Sequence, residues 1–340
     1  MVEINKKIVV IGSAHPHVLQ IASLARQAGL EIVGLFDDDQ ERCAVSAESL
    51  CTPASADIDS LLSQKPGVAL VGAVPNLRAG LAARCAHAGI DALVDKPLAL
   101  NLEDLADLKA VVARTGRRIL VYYPYRGHPY LRAAKTAITG QRIGDLVCVE
   151  TTGPHCLGVH DRPDWHWRRA CNGDILLDIA AHGFDICHWF AQADVVDVNA
   201  RMGNFASPAH PEFRDFGHAT LRFRNGVIGK IEADWLVPSG AAKCVETRFG
   251  FQGTRGRIDL RIGGTCSGTI RSAAGLETLT PEPGSMDSWT IDLLHAMCAG
   301  KPCDISQDSV WRASESALQA SAAARLEESL LQYNAPKGKS

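Results

Sequence analysis

Lys7-Ile8-Val9-Val10-Ile11-Gly12-Ser13-Ala14-His15-Pro16-His17 opens a segment that closes on Glu31-Ile32-Val33-Gly34-Leu35-Phe36-Asp37. Lys7 to Ile11 is a β-rich run, Val18, Leu19, Ala22 and Leu24 recur at helical spacing between Pro16 and Ala28, and Glu31 to Phe36 is a second β-rich run. Strand, glycine turn, helix and strand make the shape of a dinucleotide site, because a helix N-terminus aims unpaired N–H groups at a diphosphate. The glycine fingerprint itself is eroded: its three positions hold Gly12, Ala14 and His17. Gly12 permits the tight turn and Ala14 a close backbone approach, but the His17 ring must displace either the helix or the phosphates. Gly12, Ser13, Ala14 and His15 are the candidate diphosphate contacts. His15 and His17 read equally well as a polar helix start in which Pro16 is the first-turn residue.

Asp37 stands 25 positions after Gly12, at the end of the second strand, where a carboxylate can accept hydrogen bonds from ribose hydroxyls. Asp38 and Asp39 place negative charge where a 2′-phosphate would sit, and no Arg follows Asp37 directly, so NAD is favoured over NADP. The alternative is that the three aspartates form a solvated turn and helix start.

The same alternation continues outward from this segment. Val68 to Val74 reads as a strand, Leu77 to Ala88 as a helix ended by Gly89, Ala92 to Val94 as a strand, Leu102 to Thr115 as a helix ended by Gly116, and Ile119 to Tyr122 as a strand. Continuous apolar strands between helices belong to a parallel sheet covered on both faces. After about Tyr123 the pattern changes. Ile143–Thr152, Val195–Met202, His218–Phe223, Val227–Trp235, Val245–Phe251, Arg257–Ile262 and Thr269–Ser272 read as strands, with helices over Gly173–Phe190, Asp287–Ala299 and Val310–Glu328. Asn225-Gly226 predicts a two-residue type I′ hairpin, and the tail from Asn334 to Ser340 reads as loose. The expected fold is an α/β Rossmann-like doubly wound parallel sheet over residues 1–123, followed by an α+β domain over 124–340 with a large, mostly antiparallel open sheet.

Composition agrees with a soluble two-domain enzyme. The 340 residues exceed what one core of roughly 150 residues serves. A net charge of −3 with no basic run excludes an electrostatic nucleic-acid footprint. The longest apolar stretch falls far short of the roughly 20 residues that span a bilayer, and the N-terminus has no signal-peptide h-region, so the expected location is the cytoplasm. Eleven cysteines without a CxxC pair, several of them (Cys85, Cys148, Cys187, Cys244) inside apolar elements, read as buried free thiols in a reducing compartment.

Two constellations carry chemistry. Val94-Asp95-Lys96-Pro97 puts a lysine at the carboxyl end of a parallel strand, the edge where open α/β sheets bind ligands. In Asn172-Gly173-Asp174-Ile175-Leu176-Leu177-Asp178-Ile179-Ala180-Ala181-His182-Gly183-Phe184-Asp185, Asp178 and His182 lie one turn apart on an expected helix, so the carboxylate can orient the imidazole, and Asp185 continues that face. His155, His160 and His166 are spaced irregularly, without a supporting carboxylate or cysteine, and no metal site is expected.

Together these residues resemble the Gfo/Idh/MocA family of oxidoreductases, named for glucose-fructose oxidoreductase and inositol dehydrogenase. The likeness runs over nearly the whole chain. It includes Asp95-Lys96-Pro97, similar to the family's Glu-Lys-Pro signature, the Asp178/His182 segment, Pro75-Asn76, Tyr125-Arg126 with His128-Pro129, Ile143-Gly144, and the Ala-rich stretch from Glu315 to Arg325. The chain departs from the family at the glycine loop, at Ala79, where many relatives have His, and at Ala180, where Gly is usual. The resemblance implies NAD(P), a sugar, cyclitol or related polyol as substrate, and a homodimer or homotetramer formed through the second-domain sheet. It implies His182 as general base, Asp178 holding its tautomer, and Lys96 hydrogen-bonded to the reacting oxygen, with proton transfer to Lys96 as the alternative. Pro75 and Asn76 join the cofactor contacts, and Arg126, Trp167, Arg168 and Asp185 are candidate substrate contacts. Two other functions fit the sequence: a redox-neutral lyase, hydrolase or epimerase that holds its NAD, and a non-catalytic sugar or dinucleotide sensor.

Overall fold

The computed structural model describes residues 5–158, 162–241 and 245–334; His160, Cys244 and the tail beyond 334 lie outside them. The chain divides into two compact units, the first comprising Met1–Pro129, Ala170–Asn172 and Glu282–Ser314, the second Tyr130–Arg169, Gly173–Pro281 and Glu315–Ser340. The first crossing falls six residues beyond the expected cut at 123/124, and residues 282–314 return to the first unit, which that cut did not anticipate.

The first unit runs β1 (Lys7–Ser13), α1 (Pro16–Gln27), β2 (Glu31–Phe36), α2 (Gln40–Ser49), α3 (Ile58–Ser63), β3 (Val68–Gly72), α4 (Pro75–His87), β4 (Asp91–Val94), α5 (Leu102–Thr115) and β5 (Ile119–Val121), then a 3-10 turn at Pro124–Gly127. Its sheet is wholly parallel, in the order β2-β1-β3-β4-β5. Val9, Val10, Ile11, Leu70 and Val94 have no exposed surface, because helices cover both faces, and each such side chain contributes ~1.5–3 kcal/mol of burial. β5 is an edge strand. The Gln307 side chain completes it, accepting from the Ile119 N–H at 2.7 Å and donating to the Ile119 carbonyl at 2.9 Å.

The remaining elements are α6 (Pro129–Thr139), β6 (Leu146–Cys156), α7 (Asp164–Trp167), α8 (Arg169–Asn172), α9 (Ala181–Ala191), β7 (Val195–Gly203), β8 (Phe216–Phe223), β9 (Ile228–Val237), β10 (Thr247–Gly253), β11 (Gly256–Ile262), β12 (Ser267–Ser272), β13 (Gly275–Thr278), α10 (Met286–Cys298) and α11 (Gln307–Asn334). The eight strands form one sheet in the order β13-β12-β11-β10-β6-β9-β8-β7, antiparallel except for the β6–β9 pair. One face is apolar: Ile258, Leu260 and Ile262 of β11 are buried. The other carries charge in ion pairs, with Arg257 on Glu150 at 2.7 Å and Lys230 on Glu150 at 3.0 Å.

Two local expectations change. The β8–β9 hairpin is not type I′: the Gly226 N–H donates to the Phe223 carbonyl and only Gly226, at φ +88°, is left-handed. That is a three-residue loop with a glycine bulge, in which Asn225 needs no positive φ. The helix expected from Gly173 starts at Ala181. Residues 175–180 are turns instead, since Asp174 directs its carboxylate to the Leu176 N–H, the Ser321 hydroxyl and the Arg325 guanidinium.

Candidate active site

The order of the parallel sheet reverses between β1 and β3, so the loops after those strands diverge and leave a crevice at the carboxyl edge. A cleft of about 550 Å³ lies there, lined among others by Gly12, Phe36, Asp38, Ala73, Asn76 and Leu77. Gly12 is held at φ +76°, and a Cβ on it would lie 2.4 Å from Ala73 Cα, so no other residue fits the turn. Gly80 of α4 also lines the cleft and has nothing within 4 Å of where its Cβ would be, which keeps the wall open. Pro75 and Asn76 are the first two residues of α4, and Asn76 faces the cleft.

Asp37 does not face this space. Its carboxylate is turned inward, accepting from the Ser13 N–H at 2.6 Å, the Ser13 hydroxyl at 3.0 Å and Arg42 Nε at 2.9 Å. Burial is the largest influence and opposes its charge, but the hydrogen bonds the carboxylate makes, Arg42's first among them and those of Asp38, the Asp39 N–H and the Ser13 N–H after it, together outweigh burial and bring the carboxyl down to about 2. The carboxylate that does reach the cleft is that of Asp38, whose side chain is 58% exposed and lines it. Ser13 likewise spends its N–H on Asp37 rather than on a diphosphate. Arg42 went unnoticed in the sequence because it sits five residues beyond Asp37, on the first turn of α2.

The second surprise is Asp95, 1% exposed, which gathers four groups. His15 Nδ1 lies 3.0 Å from one carboxylate oxygen and His17 Nδ1 3.1 Å from the other; Arg78 Nη2 is at 3.2 Å and the Lys96 N–H donates at 2.9 Å. Burial opposes this charge too, but His15, Arg78 and His17 hold the carboxyl well below the usual carboxylate range. Arg78, fully buried on α4, also donates to the carbonyls of Ala73 and Lys96. One carboxylate and one guanidinium thus fix the β1–α1 loop, the start of α4 and the backbone of Lys96 together. Lys96 itself is 4% exposed. A cation in the first turns of a helix opposes the helix dipole, and that was the available clue to a buried partner for Arg78. The donor atoms of His15, His17 and Asp95 lie within 4.8 Å of one another, a spacing a metal ion could use. Arg78 already supplies the positive charge there, so the cluster reads as a hydrogen-bonded network.

In the second unit, Asp178 lies in the turn ahead of α9 and is 7% exposed, its N–H donating to the Asp174 carbonyl at 2.9 Å. His182 is half-buried in the first turn of α9. Gly183 lets that turn press onto the sheet: a Cβ there would sit 2.5 Å from Thr151 Oγ1 and 2.7 Å from Ile231 Cγ2. Asp185 is buried, Arg168 exposed, and Trp167 stacked on His210 with centroids 3.8 Å apart. Arg126 belongs to the first unit, where it is 3% exposed and donates to the Asp304 carbonyl at 3.1 Å.

Residues 6–123 match the oxidoreductase family with an NAD-binding Rossmann fold, and residues 131–259 match the GFO/IDH/MocA C-terminal domain. The chain belongs to the Gfo/Idh/MocA family of oxidoreductases. It is similar to the 1,5-anhydro-D-fructose reductase of Ensifer adhaerens, at 24% identity over 84% of this chain and 86% of that one. It is similar also to inositol 2-dehydrogenase 2 of Paenarthrobacter aurescens (strain TC1), at 25% identity over 60% of each. Among solved structures, one from Erwinia carotovora atroseptica SCRI1043 superposes with a TM-score of 0.86 at 28% identity, covering 94% of this chain and 98% of that one. A levoglucosan dehydrogenase in complex with NADH shares the fold, with a TM-score of 0.80 at 19% identity over 94% and 97% of the two chains. Among the described residues, no helix of this family member is long and apolar enough to cross a membrane.

Proposed function

We propose that this oxidoreductase moves a hydride between NAD and a carbinol of a sugar, cyclitol or related polyol. The observation that carries the reading is Lys96, a buried lysine at the carboxyl edge of an NAD-type sheet whose backbone is fixed by Asp95 on one side and Arg78 on the other. The cleft fits the cofactor. Gly80 leaves room for the adenosine end, Asp38 meets the ribose hydroxyls, and the loop from Gly12 to His15, with Pro75, Asn76 and Lys96, completes the contacts. Asp38 faces that end and Arg42 is committed to three aspartates, so a 2′-phosphate finds repulsion rather than a free guanidinium, and NAD is preferred.

When bound, the nicotinamide supplies the hydride acceptor or donor. His182 takes the hydroxyl proton, Asp178 holds its tautomer, and Lys96 hydrogen-bonds the same oxygen and stabilises its developing charge. Trp167, Arg168, Asp185 and Arg126 are the candidate groups for substrate recognition. The homodimer or homotetramer forms through the open eight-stranded sheet, and light scattering tests it. A panel of aldoses, cyclitols and other polyols, each with NAD and with NADP, tests the chemistry. NADH formed in proportion to product is expected; product without net NADH would replace dehydrogenation by a redox-neutral reaction.

A further inference from the structure

The dinucleotide loop of this protein has spent most of its backbone donors internally. The Ser13 N–H goes to Asp37, the His15 N–H to the Gly72 carbonyl at 3.3 Å, Pro16 has none, and the His17 N–H points at the His15 ring at 3.4 Å. A loop of this class ordinarily binds a diphosphate through such N–H groups. What stands at this helix start instead is a pair of imidazoles, their centroids 4.3 Å apart, each with Nδ1 on Asp95 and each partly exposed at 22% and 29%. Nδ1 is engaged in both rings, which leaves Nε2 as the atom of each able to meet a ligand.

We propose that His15 and His17 are the diphosphate contacts of this site, replacing the missing backbone donors and glycine, and that His15 takes up a proton from solvent as the dinucleotide binds. The inference rests on the NAD reading above. The charged and titratable groups facing the pair are Asp95 at the end of β4, Arg78 on α4, Lys96, and Tyr122 after β5, whose ring lies 6.0 Å from His17. Asp95 and Arg78 neutralise one another, which leaves His15 with charge to gain. Burial, more than any neighbouring charge, pushes His15 below the ordinary histidine value, and Asp95 only partly restores it. The imidazole is therefore neutral before the ligand arrives, and two phosphate charges at the helix start favour its cationic form.

Calorimetric titration of the wild-type protein with NAD at pH 7.5, repeated in PIPES, HEPES and Tris, reads proton uptake from the dependence of the heat on the buffer. The expected slope is roughly half a proton or more per NAD, with affinity tightening about threefold or more for each unit fall in pH between 8.5 and 6.5. In the His15→Asn/His17→Asn double variant the slope falls towards zero and NAD binds more weakly. NAD that binds the wild type with buffer-independent heat overturns the inference while leaving the NAD reading intact, as does an unchanged slope in the double variant. No binding heat at any of these pH values overturns the NAD reading and this inference with it.

Discussion

The Asp37 carboxylate accepts five hydrogen bonds, from the Ser13 N–H and hydroxyl, the Asp39 N–H and two nitrogens of Arg42, whereas its neighbour Asp38 looks into the cleft. On the proposed reading the first of these two aspartates serves structure and the second binds the ribose, and their variants should separate. Asp38→Ala should weaken NAD roughly tenfold, the loss of a charge-assisted hydrogen bond, and leave the urea midpoint nearly unchanged. Asp37→Ala should cost about 2–4 kcal/mol of stability in urea unfolding, because the Ser13 N–H loses its acceptor and Arg42 loses its one buried partner, keeping only the more exposed Asp38 and Asp39. The Asp37 carboxyl also sets an acid limit. Its value of about 2 lies below the usual 3.8, so its contribution, about 2 kcal/mol, is complete above pH 4 and is lost as pH falls towards 2. Unfolding followed between pH 5 and 2 should show that loss in the wild type and not in Asp37→Asn. The run of aspartates was visible in the sequence, but which of them turned inward was not, because that depends on Ser13 and Arg42 arriving from two other elements.

At the scale of elements, α9 is placed by Gly183, whose absent side chain lets the helix meet β6 and β9. Gly183→Val should overpack that contact and destabilise the protein by ~1–3 kcal/mol, measured as a lowered urea midpoint. Recovery on shortening Ile231 to Ala would show that the clash is local. Most elements of the parallel sheet were legible because their apolar runs and glycine stops are local signals: α5 matches its expected bounds, Leu102 to Thr115, with Gly116 at φ +65° ending it. The misread start of α9 has a nonlocal cause. Ile175 to Ala180 have helical periodicity, but Asp174 is held by Ser321, 147 residues away, and the chain turns before it coils. α2 was missed because it buries only Cys43, Ser46 and Ala47, too narrow a stripe to read, and β13 because all four of its residues are exposed. For Lys96 the motif was legible; the Asp95–Arg78 pair that fixes it was not.

Across the whole molecule, the chain is an NAD-binding oxidoreductase in which the first unit carries the cofactor cleft and Lys96, and the second carries Asp178 and His182. The return of residues 282–314 to the first unit is fastened by Arg118, which donates to the Met297 carbonyl at 2.8 Å and pairs with Asp91 at 2.7 Å. No local pattern announces such a return, since helix α10 reads like any amphipathic segment until its partner is known. Arg118→Ala should loosen that segment, and faster amide exchange confined to residues 286–298 would register it, with protection of β1 and β3 unchanged. The central claim is that Lys96 and His182 perform the proton chemistry of a dehydrogenase. It is tested most directly by the initial rate of NADH formation on the best polyol of the panel, compared among the wild type, Lys96→Ala and His182→Ala, with NAD affinity measured alongside. The account predicts that each variant loses ~100-fold or more in kcat, His182→Ala while binding NAD within a few-fold of the wild type; wild-type turnover in both variants would contradict it.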